Sequence, residues 1–140
     1  MFQFRGKDFT GDWVYGGVIR NKNNTLIIVT DDLNIVPVLP DSVQTFFGWF
    51  DVDGKRIFTG DILYLLGKQW LVCEDIPNSR FVLRHYFQLN KNPHIHVTEM
   101  PASETNLRNM RIIGNIYEDK NLPGIKHISM VPPRGYTEYD

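Results

Sequence analysis

The chain has 140 residues, 42% of them hydrophobic and 13% aromatic, enough apolar area for one domain to bury a core and too much for wholesale disorder. Its 15 basic and 16 acidic residues leave a formal net charge of −1, without the basic excess of a dedicated duplex-DNA binder. A lone cysteine, Cys73, excludes an intramolecular disulfide and with it a bridged secreted scaffold.

Cys73 lies in the apolar run LVC and reads as a small buried hydrophobe rather than a nucleophile. No apolar run approaches the ~18 residues of a spanning helix. The start, MFQFRGKDF, lacks a signal pattern. The expectation is a cytoplasmic protein with no membrane partner.

In chain order, WVYGGVIR (Trp13 to Arg20) and TLIIVT (Thr25 to Thr30) predict two strands joined across the Asn-rich turn NKNN. DDLN (Asp31 to Asn34) predicts the next turn, before IVPVL. Pro37 has no amide to give to a ladder, so that strand is expected to be short or at an edge. QTFFGWF is apolar at consecutive positions, which predicts a strand buried on both sides or packed against a subunit. Asp53-Gly54 is a strong hairpin signal, with both residues expected at positive φ, and KRIF returns. Gly60-Asp61 then opens ILYLL: the glycine permits a sharp entry or bulge, and the Asp61 carboxylate can reach amides of the turn.

Gly67-Lys68 predicts a two-residue type II′ turn into QWLVCE. PNSR (Pro77 to Arg80) is another turn, before a strand FVLRHYFQL (Phe81 to Leu89) with Phe81, Leu83, His85 and Phe87 on one face. HIHV (His94 to Val97) predicts a shorter strand. SETNLRNM (Ser103 to Met110) reads as helical, with Ser103 as its N-cap. RIIGNIYE (Arg111 to Glu118) predicts the last strand. These readings give one β-rich domain over residues 1–118 and a proline- and glycine-containing tail over 119–140. The fold class is mainly β, a barrel or sandwich with one or two short helices, in which Lys55 to Glu74 suits a small SH3-like barrel segment.

Three stretches carry a more specific signal: FRGKDFTGDWVYGGVI (Phe4 to Ile19), DSVQTFFGWFDVDGKRIFTGDIL (Asp41 to Leu63) and IIGNIYE (Ile112 to Glu118). In order and spacing they resemble the YopX family of small phage and prophage proteins. That family opens with an FRGK…TGEWVYG-type segment, carries an NGKEIYEGDIV-type segment and closes with GNIYE. Phe47 and Trp49 depart from it, standing where the family usually has Thr and Leu, and Asp75 to Met110 has no counterpart. The resemblance implies a phage or prophage origin, hence a bacterial host cell, and a β-rich fold that oligomerises. It implies no activity and transfers no catalytic residue. Nucleic-acid binding is a role suspected for the family.

Chemistry-bearing patterns are sparse. Asp51-Val52-Asp53-Gly54 opens like a calcium loop, but Ile57 and Gly60 stand where later ligands are needed, so a tight turn explains it better. Asp61 reads as a turn residue rather than an acid or base. His94 and His96 share a face of a strand and are weak metal candidates without a third ligand fixed by spacing. No nucleophile elbow or phosphate loop occurs, so no enzyme activity and no cofactor are expected. The aromatics Trp13, Tyr15, Phe47 and Trp49, with Lys55 and Arg56, are candidates for contact with a partner or a nucleic acid. Core or subunit-interface packing is the first reading, and a stacking platform, joined by Phe46 and Phe50 and drawing charge from Lys55, Arg56, Arg5 and Lys7, the second. The function expected is binding and self-assembly, with a phage or host protein as a further partner. Single-stranded nucleic-acid binding is the alternative.

Overall fold

The computed structural model describes residues 3–87 and 94–119. The tail expected over 119–140 lies outside the described residues apart from Asp119. The chain groups into two compact units, Met1–Gly48 and Trp49–Asp140.

Unit 1 is built from β1 (Phe4–Lys7), β2 (Trp13–Arg20), β3 (Leu26–Val29), β4 (Ile35–Pro37), a 3-10 turn (Pro40–Ser42) and β5 (Gln44–Phe50), which runs on past the unit boundary. One antiparallel sheet runs β4-β3-β2-β1-β5. Pro37 stands on the edge strand, as its missing amide requires. β2 changes partner halfway. Its first half, Trp13 to Gly16, pairs with β1, and its second half, Gly17 to Arg20, pairs with β3. The switch needs glycine: a Cβ on Gly16 would lie 2.1 Å from the Val29 carbonyl oxygen. On the inner face Ile28 and Val38 are buried. The Lys7 amide donates to Ser42 Oγ at 2.7 Å and the Leu39 amide donates to the Lys7 carbonyl at 2.9 Å, fixing the end of β1.

Unit 2 holds β6 (Arg56–Phe58), β7 (Asp61–Leu65), β8 (Lys68–Asp75), a 3-10 turn (Ile76–Asn78), β9 (Arg80–Phe87), β10 (His96–Pro101), α1 (Glu104–Leu107) and β11 (Arg111–Asn115). Its antiparallel sheet runs β10-β9-β8-β7-β11. The register sets Leu63 opposite Trp70 and Val72 opposite Leu83 on one face, and Ile62 opposite Leu71 on the other. All six are buried, so aliphatic packing covers both faces of this sheet. Ser103 caps α1 by accepting the Asn106 amide. The fold is thus mainly β with one short helix, and no closed barrel forms among the described residues.

Several sequence expectations change. Trp49 and Phe50 are 36% and 49% exposed, so QTFFGWF is not buried on both sides along its length. The loop into β8 is Leu66-Gly67, with φ of 50° and 83° and Leu65 paired to Lys68. Two positive φ values make it type I′, one residue earlier than a Gly67-Lys68 II′ turn. β10 runs from His96 to Pro101 rather than over His94 to Val97, and β11 ends at Asn115 rather than Glu118. The helix covers Glu104–Leu107 only. β1 was not legible as a strand by hydrophobic content, although Phe-Arg-Gly-Lys alternates with the period of two that a strand requires.

Candidate binding face and the motif locks

Four loops among the described residues share one construction. In Asp8–Asp12, Asn21–Thr25, Thr30–Asn34 and Asp51–Lys55 the first amide donates to the fifth carbonyl and the fourth amide to the first carbonyl. The first side chain then accepts from the fifth amide: Asp12 to Asp8, Thr25 to Asn21, Asn34 to Thr30 and Lys55 to Asp51. The fourth residue takes positive φ, at Gly11, Asn24, Leu33 and Gly54. This is the type I turn with a left-handed bulge residue that joins hairpins by three residues. Gly54 therefore behaves as expected at φ 80°, whereas Asp53 is not at positive φ, because the turn is wider than an Asp53-Gly54 pair. The Thr10 hydroxyl, with the Asp12 and Thr10 amides, holds the Asp8 carboxyl below the usual range.

The acidic and glycine motifs of unit 2 are locks. Asp51, buried, accepts from the amides of Asp53 (2.9 Å) and Lys55 (2.8 Å), and with its other oxygen from Ile112 (3.1 Å) at the start of β11. Val52 donates to the Met110 carbonyl at 2.9 Å. Asp53 meets Arg111 at 2.8 Å, an exposed pair that lowers the Asp53 pKa. Asp61 accepts the Phe58 amide at 2.8 Å and the Asn115 side-chain amide at 3.0 Å. Gly60, at φ 91°, donates to Val72 and accepts from Ile116. The Asp51, Asp53, Asp61 and Asn115 side chains of these motifs thus each have a structural task.

Of the six contact candidates, Trp13, Tyr15 and Phe47 belong to unit 1 and Trp49, Lys55 and Arg56 to unit 2. The register of unit 1 places Arg5 opposite Tyr15 and Gln44, and Lys7 opposite Trp13, on one face. Arg5 Cζ and Lys7 Nζ each lie 4.4 Å from the Trp13 ring centroid, within cation–π range. Arg5 Nε also donates to Gln44 Oε1 at 2.9 Å, and Lys7 Nζ to the Gly11 carbonyl at 3.0 Å. Phe47 alternates to the opposite face, with Thr45 and Phe4. Gly48, at φ 103°, interrupts the alternation before Trp49. Lys55 is exposed at the end of its loop and Arg56 half-buried at the start of β6. The outer face of unit 1 continues from Tyr15 into two rows, Gly17–Val29–Ile35 and Ile19–Ile27–Pro37. On it Tyr15 is 38%, Ile19 52% and Ile35 66% exposed, whereas Ile27, Lys7 and Gln44 on the same face are buried.

Around the weak metal candidates His94 and His96, no set of three His, Cys, Asp or Glu able to hold a metal occurs among the described residues. His96 instead stacks on Phe87, and Phe87 on His85, whose Nδ1 lies 2.9 Å from the Gln69 carbonyl oxygen. Cys73 is half-buried by surface area yet packed closely enough that burial pushes its thiol up to about 11, away from a nucleophile's range. Asp75 accepts from Asn78 and Arg80, which hold its carboxyl low. Arg80 and Arg84 both reach Glu99.

A family model described as YopX protein matches residues 20–122, and the chain belongs to that family. No curated protein and no solved structure matches it. No helix among the described residues is long and apolar enough to cross a membrane.

Proposed function

We propose that this YopX-family chain is a phage or prophage accessory protein of the host cytoplasm that acts by binding and self-assembly, not by catalysis. The observation that supports this is the outer face of unit 1, where Tyr15 and Ile19 on β2 and Ile35 on β4 stand exposed on the same face, to either side of β3. Exposed aliphatics gathered on one face mark an interaction surface. A phage or host protein is a further partner for that surface. Sedimentation velocity of the full chain at tens of micromolar tests the reading. A species heavier than one chain is expected, and a sharply monomeric boundary overturns it.

A second reading, single-stranded nucleic-acid binding, is favoured by the half-buried Arg5 beside Trp13 and the exposed Tyr15 on the same face. Two cations already lie over the Trp13 ring, so contact with phosphates rather than stacking on Trp13 would lead. Fluorescence anisotropy of a labelled ~20-nucleotide strand at low and moderate salt decides it, because phosphate contacts weaken steeply with salt.

A further inference from the structure

We propose that unit 1 associates head to tail, the loop end that carries Leu33 in one copy seating against the Asn21–Thr25 end of the next. The inference rests on the self-assembly reading and adds the surface, its anchor and the polarity.

The four matching loops act as controls on one another. At the left-handed position three of them carry Gly11, Asn24 and Gly54, residues that tolerate positive φ. The fourth carries Leu33, at φ 69° and 79% exposed. A leucine there strains the backbone and leaves its side chain in water, so it helps neither local nor global stability. Leu66 shares that strain and exposure, at φ 50° and 89%, so strain alone marks no contact; what sets Leu33 apart is the pair of exposed carboxylates, Asp31 and Asp32, beside it in the loop.

Charge supplies the occupant. The strands β1 to β4 run alternately up and down, so loop Thr30–Asn34 leaves the β3–β4 hairpin level with the middle of β2, and loop Asn21–Thr25 leaves from the opposite end of β3. The Leu33 loop carries Asp31 and Asp32, both exposed. The Asn21–Thr25 end carries Arg20 and Lys22, both exposed, and no acidic residue between Arg20 and Ile27. One end therefore offers an exposed leucine flanked by carboxylates, and the other an exposed pair of cations. A second copy supplies the complement of either end. Such a contact is heterologous, and it propagates or closes into a ring instead of stopping at a two-fold dimer.

The test is sedimentation velocity of the full chain at about 50 mM and 500 mM salt, with Asp32→Lys, Lys22→Glu and Leu33→Asn. The wild type is expected to assemble more strongly at low salt. Asp32→Lys and Lys22→Glu should each lose assembly, and their equimolar mixture should regain it, which unfolded variants could not do. Leu33→Asn should weaken association roughly tenfold while raising the unfolding temperature, a split that a merely structural leucine would not give. If the wild type assembles but the swaps do not rescue each other, or Leu33→Asn leaves association unchanged, the head-to-tail contact is overturned and self-assembly stands. A monomeric wild type overturns both.

Discussion

Asp61 and Asn115 are 54 residues apart in sequence, yet the Asn115 side-chain amide donates to the Asp61 carboxylate at 3.0 Å and both residues are buried. The other Asp61 oxygen takes the Phe58 amide at 2.8 Å. One carboxylate therefore ties the entry of β7 to the turn before it and to the end of β11. Alanine at position 61 would leave the Phe58 amide and the Asn115 side chain buried without this acceptor. Each orphaned group costs about 1–3 kcal/mol. Asp61→Ala is expected to destabilise unit 2 by about 3 kcal/mol, read as a lower urea midpoint at unchanged slope. A loss within 0.5 kcal/mol, about the scale of a surface change, would refute the lock.

Leu66 sits at φ 50° and 89% exposed, in a type I′ turn whose partner is Gly67. Unlike Leu33, it has no matching set of loop acids to give it a docking role. Asparagine accepts that backbone at lower cost. Leu66→Asn is expected to stabilise by about 0.5–1 kcal/mol and to leave self-association as it was. Thermal unfolding and sedimentation of the same sample check both halves. A drop in unfolding temperature would show that the leucine contributes packing.

Acid sensitivity follows from Asp75. The Asn78 side chain and the Arg80 guanidinium, at 2.9 Å and 2.8 Å, hold its pKa below the unfolded value. A depressed carboxylate contributes stability above its unfolded pKa and loses it as pH falls through the folded one. Stability should therefore decline as pH falls below about 4, and Asp75→Asn should flatten that decline. Urea midpoints across this range, wild type against variant, give the comparison. Parallel curves would mean that other carboxylates carry the acid response.

The sequence disclosed much of this architecture because its signals were local. Trp13 to Arg20 forms a strand over the residues its alternation predicts, and Ser103 caps the helix as expected. Asp53-Gly54 and Gly67 marked turns correctly, but a dipeptide does not specify loop width. That width is set by Asp51, whose carboxylate bonds amides both inside the loop and on β11, a long-range partner invisible to local pattern. The candidate face was half legible. Trp13 and Tyr15 share it, but the cations beside them come from β1, whose register only the fold supplies, while Phe47 alternates away. The four-fold recurrence of one loop was obscured because Asp, Asn and Thr all fill its first position and Gly, Asn and Leu its fourth.

Arg5 provides the sharpest test of the nucleic-acid reading. Its guanidinium is oriented twice, by Gln44 Oε1 at 2.9 Å and by the Trp13 ring at 4.4 Å, so little freedom is lost when it meets an anion. If single strands bind through this face, Arg5→Gln should weaken binding and reduce the slope of log affinity against log salt by about 0.7, the contribution of one phosphate contact on a single strand. Phe47→Ala, on the opposite face, should leave that slope unchanged. Equal slopes for wild type and Arg5→Gln would remove the β1–β2 face from the nucleic-acid reading. No binding by the wild type at low salt, where attraction is strongest, would leave the Arg5–Trp13–Lys7 stack as a device that stiffens the β1–β2 hairpin beneath a protein-binding face.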